Sequence, residues 1–131
     1  VLGLSFAARR RREEDEKNPL SARQRRAKNA VRQELREAKK YTGQADQFYP
    51  ALGSGLEAYL MAKLQWSASQ LTRLALSEAL DRHVPELKSK WNALLDALDM
   101  ARYAPGQVPP PEALLAEAEA LVESTEKNWI A

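Results

Sequence analysis

Two prolines enclose the stretch that most constrains this chain. Between Pro85 and Pro105 runs P-E-L-K-S-K-W-N-A-L-L-D-A-L-D-M-A-R-Y-A-P, in which Leu87, Trp91, Leu94, Leu95, Leu98 and Ala101 recur at steps of three and four. That spacing places all six on one helical face. Pro85 suits a first helical turn, where the amide it lacks would be unpaired in any case. Pro105-Gly106 stops the helix. A face this wide and apolar, carrying Trp91, belongs to the central helix of a small bundle, with the other helices packed onto it.

Four more helices follow from the same reading. The first starts at Ser21, with Gln24 as its capping-box partner. It has a thin apolar stripe of Ala27, Ala30, Val31, Leu35, Ala38 and Tyr41, and it ends at Thr42-Gly43, where Gly43 is the candidate left-handed cap. The second starts near Asp46 as N-cap, accommodates Pro50 in its opening turns, and turns Phe48, Leu52, Leu56, Tyr59, Leu60 and Leu64 inward. Gly53 and Gly55 weaken it by about 1 kcal/mol each relative to alanine; either they allow close helix approach or they mark a kink. Residues 67–70 form a connector, and Thr72 caps a short third helix that buries Leu74, Leu76, Ala79 and Leu80. After the central helix, the proline-rich residues 105–111 make a stiff linker. The last helix opens at Pro111 or Glu112, with Leu114, Leu115, Ala118, Leu121, Val122 and Trp129 inward.

A length of 131 residues, 44% of them hydrophobic, is one domain with a core. The fold expected is all-α: a bundle of about five helices over residues 21–131. No repeat of solenoid length occurs, but helix pairs with short turns allow TPR-like stacking. The absence of cysteine excludes disulfides, thiolate zinc sites and a cysteine nucleophile.

Charge is unevenly spread. Residues 1–41 carry thirteen Lys or Arg against six Asp or Glu, and residues 42–131 carry seven against twelve. The basic end is a contact surface for something anionic. The chain begins at Val1 and reads as a piece of a longer protein. Residues 1–8, V-L-G-L-S-F-A-A, meet Arg9, Arg10, Arg11 and Arg12 without a spacer. Eight helical residues span roughly 12 Å, short of the ~30 Å hydrocarbon core. They read as the last turns of a transmembrane helix, with the arginines fixing its cytoplasmic side; the plainer alternative is a frayed apolar terminus. A cleaved signal peptide fits less well, because its charges should come before the apolar segment. Residues 9–20 then form a charged juxtamembrane connector.

Candidate chemistry is sparse. Asp96 and Asp99, three apart, can do acid–base or metal work in principle, but the sole histidine, His83, is remote at a helix end. Asp99 is better placed to pair with Arg102 or Tyr103, and His83 suits the negative end of a helix dipole. Ser124-Thr125-Glu126-Lys127 fits S-x-x-K only by spacing. Gly53-Ser54-Gly55 lacks the lysine and strand of a phosphate loop. No enzyme, cofactor, metal or small-molecule substrate is expected. Arg102-Tyr103 has two readings: Tyr103 packed on the bundle with Arg102 salt-bridged to Asp99, or a docking site, since Arg and Tyr anchor interfaces. The docking surface expected is Tyr59, Arg102 and Tyr103. The basic stripe of the first helix, Arg25, Lys28, Arg32, Arg36 and Lys39, is a solvated face, a contact for anionic lipid headgroups, or a nucleic-acid surface. The last is disfavoured by the lack of interleaved aromatics.

Several of these residues together carry a family resemblance. Leu94-Leu95 and Ala101-Arg102-Tyr103-Ala104-Pro105 are joined by Asp46, Phe48-Tyr49, Leu56, Tyr59-Leu60, Lys63-Leu64, Leu71-Thr72-Arg73 and the arginine block leading to Asn18-Pro19. With these, most of the chain resembles the C-terminal cytoplasmic region of the BatD oxygen-tolerance family. The resemblance implies an exported β-rich region upstream, one span of a bacterial inner membrane, and this helical domain on the cytoplasmic side. It further implies partnership with von Willebrand A-domain membrane proteins and a MoxR-type AAA+ ATPase. The function expected is non-catalytic scaffolding of that complex; the alternative is a basic helical nucleic-acid-binding domain.

Overall fold

Trp91 is fully buried, and the face it shares with Leu87, Leu94, Leu95, Leu98 and Ala101 is the buried face of its helix. A computed structural model describes residues 19–130, with the backbone alone for residues 19–24. Its elements are α1 (Pro19–Lys39), α2 (Ala45–Leu64), α3 (Arg73–His83), α4 (Lys88–Ala101) and α5 (Pro111–Asn128). Single 3₁₀ turns at Ala68–Gln70, Pro85–Leu87 and Pro105–Gln107 punctuate the connections. Among the described residues there is no strand, and they form an all-α bundle of five helices. The membrane-helix end and arginine block expected over residues 1–12 lie outside the described residues. None of the described helices is long and apolar enough to cross a membrane.

The helices α1 and α2 form an antiparallel hairpin. The two helices approach closely at Gly55, where an added Cβ would lie 3.0 Å from Cβ of Glu34. Gly55 is therefore a close-approach glycine. Gly53 is different: a Cβ there meets nothing within 4 Å. Pro50 is the sixth residue of α2 and has no N–H, so the carbonyl of Asp46 has no i+4 partner. The residue before the helix is Gln44, without a side-chain cap, and Asp46 sits inside the first turn rather than at the cap. There its carboxylate still favours the positive end of the helix dipole.

Gly43 does not adopt the left-handed conformation expected of it; the described residue that does is Gln65, at φ 58°. The amide of Trp66 donates to Met61 O at 2.9 Å and that of Gln65 to Ala62 O at 3.4 Å. These are the paired reverse bonds of a Schellman ending. They satisfy two terminal carbonyls of α2 and hold Gln65 in a conformation that glycine adopts more easily.

A second antiparallel pair, α3 and α4, is capped by Thr72, whose Oγ1 accepts the amide of Ala75 at 3.1 Å. Leu76, Ala79 and Leu80 are buried as expected, but Leu74 is 72% exposed. At ~100° per residue, Leu74 stands roughly 200° from Leu76, on the opposite side of the helix.

The last helix, α5, packs against α1, α2 and α4. It brings Leu114, Leu115, Ala118, Leu121 and Val122 into the core, while Trp129 is half-buried against it. An open TPR-like stack would leave its first helix free of its last. Here α5 returns to α1, and Arg32 Nη2 meets Glu123 Oε1 at 2.9 Å. The two helix pairs are thus closed into a bundle.

Candidate functional site

The exposed chemistry gathers where α3 begins and α4 ends. Arg73, the first residue of α3, reaches across to α4. Its Nη2 donates to Asp96 Oδ1 at 2.7 Å and to Asn92 Oδ1 at 3.2 Å, and its Nη1 to Asp99 Oδ2 at 3.3 Å. One planar guanidinium thus bridges two carboxylates a helical turn apart, a geometry that suits its fork of donors. The partner of Asp99 is Arg73, neither Arg102 nor Tyr103. A Leu-Thr-Arg run in which the threonine caps the helix therefore delivers its arginine to the neighbouring helix. That contact is invisible to a reading confined to positions three and four apart.

With Asp99 taken, Arg102 has no side-chain partner among the described residues. Tyr103 follows it at 86% exposure. Tyr59, expected on the same surface, is instead in the core at 2% exposure. It stacks on Trp91 with ring centroids 6.2 Å apart. Its position on the inward face of α2 excludes it from the Arg102–Tyr103 surface.

Beside Arg102 a groove of about 290 Å³ opens between α2, the connector after it, and α4. Buried Leu76, Leu95 and Leu98, with half-buried Leu71, form its floor, and exposed Glu57, Arg73, Asp99 and Arg102 its rim. Tyr49, Gly53 and Met61 complete the α2 wall. The Tyr49 hydroxyl donates to Pro109 O at 3.2 Å, tying the linker before α5 to this wall. Burial, and then the nearby charge of Glu112, raise its pKa above the ordinary tyrosine value.

A second polar cluster is internal. Lys63 Nζ lies 3.0 Å from Glu126 Oε2, with side chains only 4% and 13% exposed. The hydroxyl of Tyr59 donates to the same carboxylate. Burial first, then the bond and charge of Glu126, raise the Tyr59 pKa far above its ordinary value. Lys63 Nζ also sits 4.8 Å from the ring centre of Trp129, which stacks on His83 at 4.4 Å. The Nδ1 of His83 is 2.6 Å from the carbonyl of Ile130, and Ile130 returns its amide to His83 O at 2.9 Å. A carbonyl only accepts, so Nδ1 carries the proton. This clip joins the residues after α5 to the end of α3, where a helix-end role was expected for His83. Nearby, Thr125 is buried: its Oγ1 accepts Trp91 Nε1–H at 2.9 Å and donates to Leu121 O at 2.7 Å. Within residues 124–127 it is Thr125 and Glu126 that the fold engages, the first with Trp91 and Leu121 and the second with Tyr59 and Lys63. Among the described residues no cluster of three His, Asp or Glu side chains is arranged to hold a metal.

On α1, Lys28, Arg32, Arg36 and Lys39 are at least partly exposed. Arg32, Arg36 and Lys39 share a shallow groove with Glu119 and Glu123 of α5. The bond from Arg32, followed by the charge of Lys28, holds the Glu123 carboxyl below its usual range. The stripe is thus part of a mixed-charge seam.

Compared with protein-family models, with curated proteins and with solved structures, the chain matches none.

Proposed function

We propose that this chain is a non-catalytic protein-interaction domain whose docking surface is centred on Arg102 and Tyr103. The observation that carries this reading is the exposed Tyr103 beside an arginine with no internal partner, at the edge of an apolar groove. Large aromatic and arginine side chains are the usual anchors of protein interfaces, and among the described residues no side chain bonds to either of these two. Following the BatD resemblance, the setting proposed is the cytoplasmic side of a bacterial inner membrane, tethered by a span that ends near Ala8. The partners proposed are von Willebrand A-domain membrane proteins and a MoxR-type AAA+ ATPase, with this domain as their scaffold. Arg9, Arg10, Arg11 and Arg12 would set topology and meet anionic headgroups, each basic residue adding roughly 1 kcal/mol near the surface.

The test is capture of the purified ATPase or A-domain protein. Replacing Arg102 or Tyr103 by alanine should weaken capture about tenfold, a typical anchor loss, and leave the melting temperature in place. A fall in melting temperature with unchanged capture refutes the reading. The nucleic-acid alternative predicts binding to DNA or RNA with a steep salt slope. It is the weaker reading, because Glu119 and Glu123 line the same seam as the basic side chains of α1.

A further inference from the structure

The two helical glycines of α2 have different reasons to be there. Gly55 has Glu34 against it, so a side chain there requires Glu34 to give way. At Gly53 nothing stands within 4 Å of an added Cβ, and residue 53 lines the groove. An alanine there would suit the helix better and its methyl would meet no neighbour, while a longer side chain would extend into the groove. The missing side chain is therefore space given to the groove rather than to the fold.

The charges at the rim say what that space accepts. Arg73 is engaged by Asp99 at 3.3 Å and, outside the groove, by Asp96 at 2.7 Å, so one guanidinium answers two carboxylates and neither Arg73 nor Asp99 is free for a ligand. What remains unpaired is Arg102 beyond α4 and Glu57 on α2, one cation and one anion on opposite walls of an apolar floor. We infer that the groove seats the apolar side chain of an extended partner segment, with an acidic residue of that segment at Arg102 and a basic one at Glu57. This rests on the docking reading above and adds to it the seat and the chemistry of the segment. A uniformly acidic segment would meet Glu57, and a uniformly basic one would meet Arg102; a mixed one meets neither penalty. Extended peptides held by an apolar pocket and a few charged rim groups need little rearrangement of a preformed site.

The probe is a random dodecapeptide library displayed on phage and panned against the full chain, followed by fluorescence anisotropy of the enriched peptides. The expected result is enrichment of segments in which Leu, Ile, Met or Phe lies between an acidic and a basic residue. Gly53→Leu should weaken their binding at least tenfold while the melting temperature holds or rises. Arg102→Glu should reverse the preference at the acidic position in favour of lysine, a change that a merely destabilised protein would not show. Peptides that bind Gly53→Leu as well as the parent overturn the groove as the seat. If those same peptides are lost on Arg102→Ala, the docking surface itself stands. A library that enriches no such segment overturns the inference, while capture of the folded partners judges the docking reading separately.

Discussion

Lys63 is a cation with almost no access to water, held by one carboxylate and one indole ring. Removing the acid alone strands the charge. Glu126→Leu should therefore cost about 3–5 kcal/mol in urea denaturation, and adding Lys63→Met should recover much of that loss. Equal losses in the single and double variants would show that the stranded lysine charge is not what the first substitution costs. Tyr59 adds a pH dependence. Its folded pKa is raised above the ordinary value of 10.0, so the unfolded chain releases this proton first. The stability it contributes is complete below about pH 10 and is lost as pH rises towards the folded value. Tyr59→Phe should flatten that alkaline decline in the denaturation midpoint; an unchanged slope would rule the phenol out. Neither residue was legible in the sequence for what it does. Lys63 lies four positions after Tyr59 and so satisfies the period of the buried face, but its charge argued for solvent. Its partner is 63 residues away on another helix, and no local pattern records such a pairing.

At the scale of the helix, Gly53 and Gly55 are a controlled pair, two residues apart in one element. Alanine at 53 should raise stability by up to about 1 kcal/mol, since only helix propensity changes. Alanine at 55 must displace Glu34, its Cβ 3.0 Å away, and should gain less or lose stability; thermal melts of the two variants make the comparison. A gain at 55 equal to that at 53 would mean α1 yields at no cost. Helix positions were largely readable from sequence because the apolar period, the threonine cap and the prolines all act within a few residues. The cap at Thr72 and the face from Trp91 to Ala101 of α4 are where the spacing put them, whereas Pro85 and buried Leu87, expected in the first turn of that helix, form a separate 3₁₀ turn before it. Leu74 was placed inside on residue type against its own periodicity, and the periodicity was right. The left-handed ending expected of Gly43 after α1 is absent, and the one that does occur, at Gln65 after α2, has no glycine to signal it in the sequence.

Across the whole molecule, closure is the property that distinguishes this bundle from an open helical stack, and Arg32–Glu123 marks the seam. The folded pKa of Glu123 is lowered from 4.5 by Arg32. Its contribution is therefore present above about pH 4.5 and lost as the pH falls through the folded value. The denaturation midpoint should decline between pH 5 and pH 3, and the decline should be shallower in Arg32→Ala; parallel curves would dismiss the seam as an acid-sensitive contact. That α5 would return to α1 was not legible, since short connections specify neighbours along the chain and not which helix meets which at the end.

The order in which the chain is synthesised gives this closure a consequence. Tyr59, Lys63 and Trp91 are all made before Thr125 and Glu126, the residues that answer their polar groups. In a nascent chain that has emerged from the ribosome only as far as the linker before α5, those groups have water as their sole recourse, and desolvating them would be costly. The earlier helices can gather at that point but cannot shut. In a released chain truncated near residue 110, Trp91 should remain open to a collisional quencher, and it should be protected in the chain that includes α5. Emergence of α5 is thus the commit step in closing this bundle: a message truncated before it would yield a product already marked as unfinished to whatever inspects exposed apolar surface.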